Sequence, residues 1–308
     1  MRGWWRDLTD LVLPAECGGC GRPRAVLCPE CRAALSGAAP CRVRPVPEPA
    51  GLPVVHAAAP YEDEVRAALL AHKERGALAL AAPLGTALAG AVRAGLASVR
   101  RPGPGGRFMA PQGRLRLGKG EVWGGRDGWE SGGAEVRAAG TGDGPVLLVP
   151  VPSARRAVRA RGHDPARRIA LAAAGELRRT GTPARVLGVL RQRRDVADQS
   201  RLNSRQRLEN LADALEVVAG GERLLAEGGR VVLVDDLMTT GASLAEAARA
   251  VRAAQSGARA LRWTGERTGR SEVCGRNAGR EQAGGKNSDT VCSAVVAASP
   301  DAFEINRN

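Results

Sequence analysis

The chain has 308 residues, enough for one full α/β domain plus a small module, and 44% of them are hydrophobic, which suffices for a core. Only 3% are aromatic, so Ala, Val and Leu must build that core, and the stacking platforms of a dedicated single-strand nucleic-acid binder are scarce. The formal net charge of +14 points to a polyanionic ligand or partner.

The start, MRGWWRDLTDLVLP, reads as a short amphipathic helix with Trp5, Leu8 and Leu11 or Val12 on one face. Its interspersed acids and the lack of a small-residue cleavage site argue against a signal peptide. No run approaches the roughly 18 apolar residues that span a bilayer, so a cytoplasmic chain without a membrane span is expected.

Four of the seven cysteines follow as Cys17-x2-Cys20-x7-Cys28-x2-Cys31. Each Cys-x2-Cys knuckle presents two thiolates on one turn, and seven intervening residues are enough to bring the knuckles together. In a reducing compartment this spacing predicts a closed, structural, tetrahedral zinc site. Pairwise redox chemistry is the alternative, weakened by the absence of a βαβ pattern around either pair. Cys41 has no cysteine two or three residues away and reads as a plain surface or half-buried cysteine, with a substitute ligand as the alternative; Cys274 and Cys292 lack partner spacing and read as free thiols.

Five prolines between positions 40 and 53 mark a semi-rigid linker. The expected organisation is an N-terminal helix and zinc module over 1–45, a Pro-rich linker at 46–53 and an α/β domain over 54–308. A strand is expected at 54–59, then a helix at 61–75 that buries Val65, Leu69 and Leu70 and stops at Gly76. A second helix at 83–97 opens on proline. His56 and His72 have no metal partner in the sequence; Lys73, in LLAHKERG, stands out, although an exposed helix-end lysine is its default reading. Segments 100–144 and 264–289 are rich in Gly or mixed charge and lack a sustained period, which predicts disordered insertions.

Between the insertions the α/β alternation returns. Strands are expected at 146–149, 184–190, 214–218 and 292–297, with a helix capped by Asp164 and Pro165 that carries Ile169, Ala173 and Leu177 inward. His163 reads as a helix-start histidine. Positions 150–210 hold fifteen arginines against five acids, a net +10 in 61 residues. A nucleic-acid patch, the wall of a pyrophosphate site and a solvated Arg-rich surface all fit such a segment.

The most informative stretch is 231–243, VVLVDDLMTTGAS. Four apolar residues, two adjacent carboxylates and a Thr/Gly/Ser turn precede a helix-forming run at 244–254, so a buried strand delivers Asp235 and Asp236 to the carboxyl edge of a sheet, where α/β folds bind ligands. The amides of Thr239, Thr240, Gly241, Ala242 and Ser243, at the positive end of the helix dipole, suit a phosphate group. Thr239, Thr240 and Ser243 add hydroxyl donors, Gly241 lets the backbone approach, and ionised Asp235 and Asp236 suit the two hydroxyls of a ribose.

This stretch resembles the phosphoribosyl-pyrophosphate (PRPP) motif of type I phosphoribosyltransferases. Together with the cysteine module, the segments PVPSARRAVRARGHDPARRIA and DQSRLNSRQRLENL, and the terminal ASPDAFEINRN, it resembles the ComF family. These are competence-associated proteins with an N-terminal zinc module and a phosphoribosyltransferase-like domain. The resemblance implies a mostly parallel sheet flanked by helices and PRPP or ribose 5-phosphate as ligand, with Mg²⁺ accompanying PRPP. It assigns Asp235 and Asp236 to the ribose hydroxyls, as catalytic residues, and Met238, Thr239, Thr240, Gly241, Ala242 and Ser243 to the 5′-phosphate. Ser153, Arg155, Arg156, Arg159 and Arg161 become pyrophosphate candidates, since guanidinium groups bind phosphate oxygens bidentately. The polar stretch 199–210 takes the place of a mobile hood. The family's second cysteine pair is represented here by Cys41 alone.

Two functions follow as expectations. One is transfer of phosphoribose from PRPP to a nitrogen acceptor. The other is a non-catalytic competence role in DNA uptake or processing, in which the zinc module and basic segment meet single-stranded DNA or competence proteins.

Overall fold

The computed structural model describes residues 16–100, 144–194, 204–226, 229–268 and 291–306. The expected N-terminal helix, Cys274 and nearly all of both expected insertions lie outside these residues; Arg100 and residues 264–268, assigned to the insertions, instead end long helices.

In chain order, α1 (Pro29–Ser36) and β1 (Cys41–Val43) precede β2 (Val55–Pro60), α2 (Asp63–Glu74), a 3-10 turn (Leu78–Leu80) and α3 (Ala81–Arg100). Next come β3 (Val146–Pro150), α4 (Arg155–Arg161), α5 (Pro165–Arg179), β4 (Ala184–Val186), β5 (Leu190–Gln192), α6 (Ser204–Leu211), β6 (Leu215–Val217) and α7 (Gly221–Ala226). The chain then forms β7 (Arg230–Met238), α8 (Ala242–Thr268), β8 (Cys292–Ala298) and a closing 3-10 segment (Pro300–Asn306).

Six strands form one sheet in the order β1-β2-β8-β7-β3-β4. Only β1 is antiparallel; every other neighbouring pair is parallel. Parallel strands are buried on both faces, which is why VLLVP, VVLV and CSAVVAA read as continuous apolar runs without alternation. Helices cover both faces. One core layer gathers Leu35, Leu69, Leu84, Leu88, Ile169 and Leu177 against Val232, Val234 and Val296. The other sets Leu244, Ala248 and Val251 of α8 against Leu147, Val149, Leu233 and Val295.

The structure departs from the sequence expectations in further places. The strand expected at 184–190 divides: β4 stays in the main sheet, while β5 leaves it after Gly188 and pairs antiparallel with β6 as a separate hairpin. Leu70 is 37% exposed, because the buried stripe of α2 runs through Val65, Ala68, Leu69 and His72 and Leu70 falls off that face. Residues 41–43, read as part of the zinc module, pair with β2. Residues 78–98 are apolar and long enough to cross a membrane by length and composition, a run the sequence reading passed over. Here α3, which makes up most of that span, packs on α5, β2 and β8 as a core helix.

Candidate functional site

The order of the strands locates a crevice. From β3 the chain crosses through α5 to β4 on one side; from β7 it crosses through α8 to β8 on the other. The two crossover helices lie in opposite core layers. The gap between the carboxyl ends of β3 and β7 is therefore the switch point at which open α/β sheets bind ligands. Pairing between these strands ends at Pro150 opposite Val234, with one further bond from the Val151 N–H to the Val234 carbonyl at 2.9 Å. The next residues of β7 are Asp235 and Asp236.

The strand does not stop at the acids, as the sequence had suggested. It continues to Met238 along β8, with Asp235 opposite Val295 and Met238 opposite Ala298. The β3 side of residues 235–238 is left without a strand neighbour.

Side-chain alternation separates the two carboxylates. Asp236, with 8% of its side chain exposed, meets Lys73 of α2: Nζ lies 3.1 Å from Oδ2. Half-buried Asp235 lines a small pocket with residues 237–244, and its Oδ1 accepts the Asp236 N–H at 2.8 Å. Burial, then the neighbouring Asp236 charge, pushes the Asp235 carboxyl well above the usual carboxylate range, while Lys73 opposes them. The Asp236 charge in turn holds the Lys73 ammonium above its ordinary value.

Met238, Thr239, Thr240, Gly241, Ala242 and Ser243 all line the same pocket. Gly241 has φ +75° and precedes α8, whose first amides have no intrahelical acceptor. The polar stretch that precedes β6 reaches this turn: Arg207 of α6 donates to Thr239 Oγ1 at 3.2 Å.

Across the crevice, Ser153 lies in the loop after β3, 3.4 Å from Oδ1 of Asp164 through its hydroxyl. Asp164 also accepts the Arg167 N–H, so the helix cap steadies the loop. The arginine candidates separate into two groups. Arg161 is bound to Glu74 through Nε and Nη2 at 3.1 and 2.9 Å. Arg155, Arg156 and Arg159 are exposed and form no ion pair among the described residues.

Three consecutive residues at the end of α2 thus face this region. His72 is fully buried, with Nδ1 3.3 Å from the Ala77 carbonyl, and its ring stands edge-on to His163 at 5.7 Å. Burial pushes the His72 imidazole below its ordinary value. Lys73 meets Asp236, and Glu74 holds Arg161. The sequence reading noticed Lys73 but defaulted to a solvated role, and passed over Glu74 and Arg207. The available signal was three chemically active residues, His-Lys-Glu, closing a helix just before Gly76.

At the other end of α2 stands the cysteine cluster. The Sγ atoms of Cys17, Cys20, Cys28 and Cys31 all lie within 4.8 Å of one another and could hold a metal ion such as zinc. The Cys20 and Cys28 sulfurs are 3.6 Å apart, too far for a disulfide bond. Burial works against ionising Cys17, but the Cys28 N–H and other nearby amides outweigh it and bring the thiol to about 6. Burial and the neighbouring sulfurs push Cys31 up. Four sulfurs this close do not all ionise without a cation between them, which is the chemistry of a thiolate metal site. The knuckle needs its glycine: a Cβ on Gly19 would stand 2.7 Å from Cys31 Sγ.

No protein-family model matches the chain, and no curated protein is significantly similar to it.

Proposed function

We propose that the chain is a phosphoribosyltransferase-like protein of the ComF type that binds PRPP or ribose 5-phosphate at the β3–β7 crevice. One observation carries this reading: an acidic pair at the switch point runs directly into a glycine turn that opens a helix, and Asp235 of the pair lines a single pocket with that turn. A carboxylate pair suits a vicinal diol, and a helix-opening turn suits a phosphate monoester. A phosphorylated ribose presents both groups.

In this reading Asp235 takes the ribose hydroxyls with Asp236 held behind it by Lys73, Met238 to Ser243 take the 5′-phosphate, and the Ser153 loop faces the diphosphate. Mg²⁺ bound together with PRPP would screen the charge of its diphosphate. Departure of pyrophosphate leaves positive charge on the ribose, which the carboxylates stabilise while the site orients a nitrogen acceptor and excludes water. Zinc held by the four cysteines is structural, since a closed thiolate set leaves no open position. Titration calorimetry with PRPP and Mg²⁺, followed by a nucleobase screen for pyrophosphate release, tests binding and transfer in turn.

The exposed Arg155, Arg156 and Arg159, which form no ion pair among the described residues, favour a second reading, a competence factor that contacts DNA through this helix. A steep loss of DNA affinity with salt supports it; no binding at low salt removes it.

A further inference from the structure

We infer that Lys73 is the positioning residue of the crevice: its ammonium anchors Asp236 in an ion pair and, by opposing the repulsion between the two carboxylates, leaves Asp235 to take the diol of a phosphorylated sugar. This rests on the reading of the crevice as a ribose-phosphate site.

Two adjacent carboxylates, one half-buried and the other with 8% of its side chain exposed, repel each other in a poorly solvated setting. Both stay ionised only beside a compensating cation. Among the described residues the charged and titratable groups around them are Lys73, Glu74 and His72 of α2, Arg161 of α4, His163 beyond it, and Arg207 of α6, which donates to Thr239. Arg161 is committed to Glu74 by two bonds, so those charges cancel. His72 is buried and held towards its neutral form. Lys73 remains as the cation in contact with the acid pair, 3.1 Å from Asp236.

Its place in the fold suits the task. Lys73 sits in the last turn of α2, where a cation also complements the helix dipole. Its side chain is one-third exposed, so the ammonium closes on Asp236 while remaining at the edge of the crevice. Asp235 lines the pocket with residues 237–244, and neither Lys73 nor Asp236 does. The pair therefore divides its work: one carboxylate is neutralised by the protein and the other faces the ligand.

The test follows the carboxyl carbons of the full-length protein by NMR through a pH titration, without ligand. In Lys73→Met the acid pair should titrate at a pH higher by about one unit or more, and Lys73→Arg should restore much of the difference. An unchanged titration in Lys73→Met overturns the inference. Should Lys73→Met fail to fold, Asp236→Asn serves instead: with Lys73 in place and the neighbouring charge removed, Asp235 should titrate lower, and an unchanged value is equally contrary.

A second arm measures PRPP–Mg²⁺ affinity against pH. Lys73→Met should weaken binding roughly tenfold or more at pH 7 and recover as pH rises, because higher pH restores the carboxylate form that the loss of the cation had disfavoured. An equal loss at every pH would make Lys73 a direct ligand contact and contradict the positioning role. If the wild type binds no PRPP, the ribose-phosphate reading falls, and the ligand-free titration alone decides whether Lys73 governs the acid pair.

Discussion

A Cβ built on Gly241 stands 3.1 Å from Leu52 Cδ2, so the turn that opens α8 is packed from behind by the Pro-rich segment. Pro45 Cγ lies 3.3 Å away on the same side, and Arg252 Nη1 anchors the segment by donating to the Gly51 carbonyl at 2.7 Å. The sequence had assigned this glycine to the close approach of a phosphate. Its missing side chain also makes room for Leu52 and Pro45.

Gly241→Val should accordingly destabilise the fold as well as the site. The positive φ and the clash with Leu52 together predict a loss of about 2–4 kcal/mol in denaturant unfolding. Stability equal to wild type would show that the turn is not held by the segment at 45–52.

The cysteine cluster predicts about one zinc per purified chain, lost in Cys17→Ser and retained in Cys274→Ser. Cys17, Cys28 and Cys31 share one apolar layer with Val65, Leu69 and Leu80, so the metal should stabilise more than its own loop. Chelation should lower the melting temperature of the main transition. Full retention of zinc by a Cys17→Ser, Cys20→Ser double variant would contradict the assignment.

Glu246 of α8 ties the β5–β6 hairpin to the main body. Its Oε1 accepts the Leu215 N–H at 3.0 Å, and Arg249 donates to both of its oxygens and to the Leu215 carbonyl. Burial raises the Glu246 carboxyl, but Arg249 and the Leu215 amide outweigh it and hold it below the ordinary range. Its contribution to stability is therefore present above about pH 4, the unfolded value, and is lost as pH falls through the lower folded one. Glu246→Ala should cost about 1–3 kcal/mol at pH 7 and less in acid, read by denaturant melts at both pH values.

Sequence patterning exposed the features that rest on local chemistry. Cys-x2-Cys spacing announced the cluster that folds around Cys31, and Asp164-Pro165 announced the capped start of α5. The unbroken apolar run before Asp235 announced a strand buried on both faces. What stayed hidden depends on partners distant in the chain. Nothing local to LLAHKERG shows that Lys73 will meet a carboxylate 163 positions later, since that contact forms only once the fold brings the last turn of α2 to the carboxyl end of β7. The division of 184–190 was hidden for a similar reason: its apolar residues serve two sheets, and periodicity cannot show which strand each half will pair with.

The central claim is that the β3–β7 crevice holds a phosphorylated ribose through Asp235 and the turn before α8. Calorimetry of the wild type and of Asp235→Asn with PRPP and Mg²⁺ tests it most directly. Replacing one acceptor oxygen with a donor amide should weaken binding by about 1–3 kcal/mol, roughly 5- to 150-fold, with zinc content unchanged. No binding of PRPP or ribose 5-phosphate by the wild type at millimolar ligand, or equal affinity in Asp235→Asn, would contradict the account.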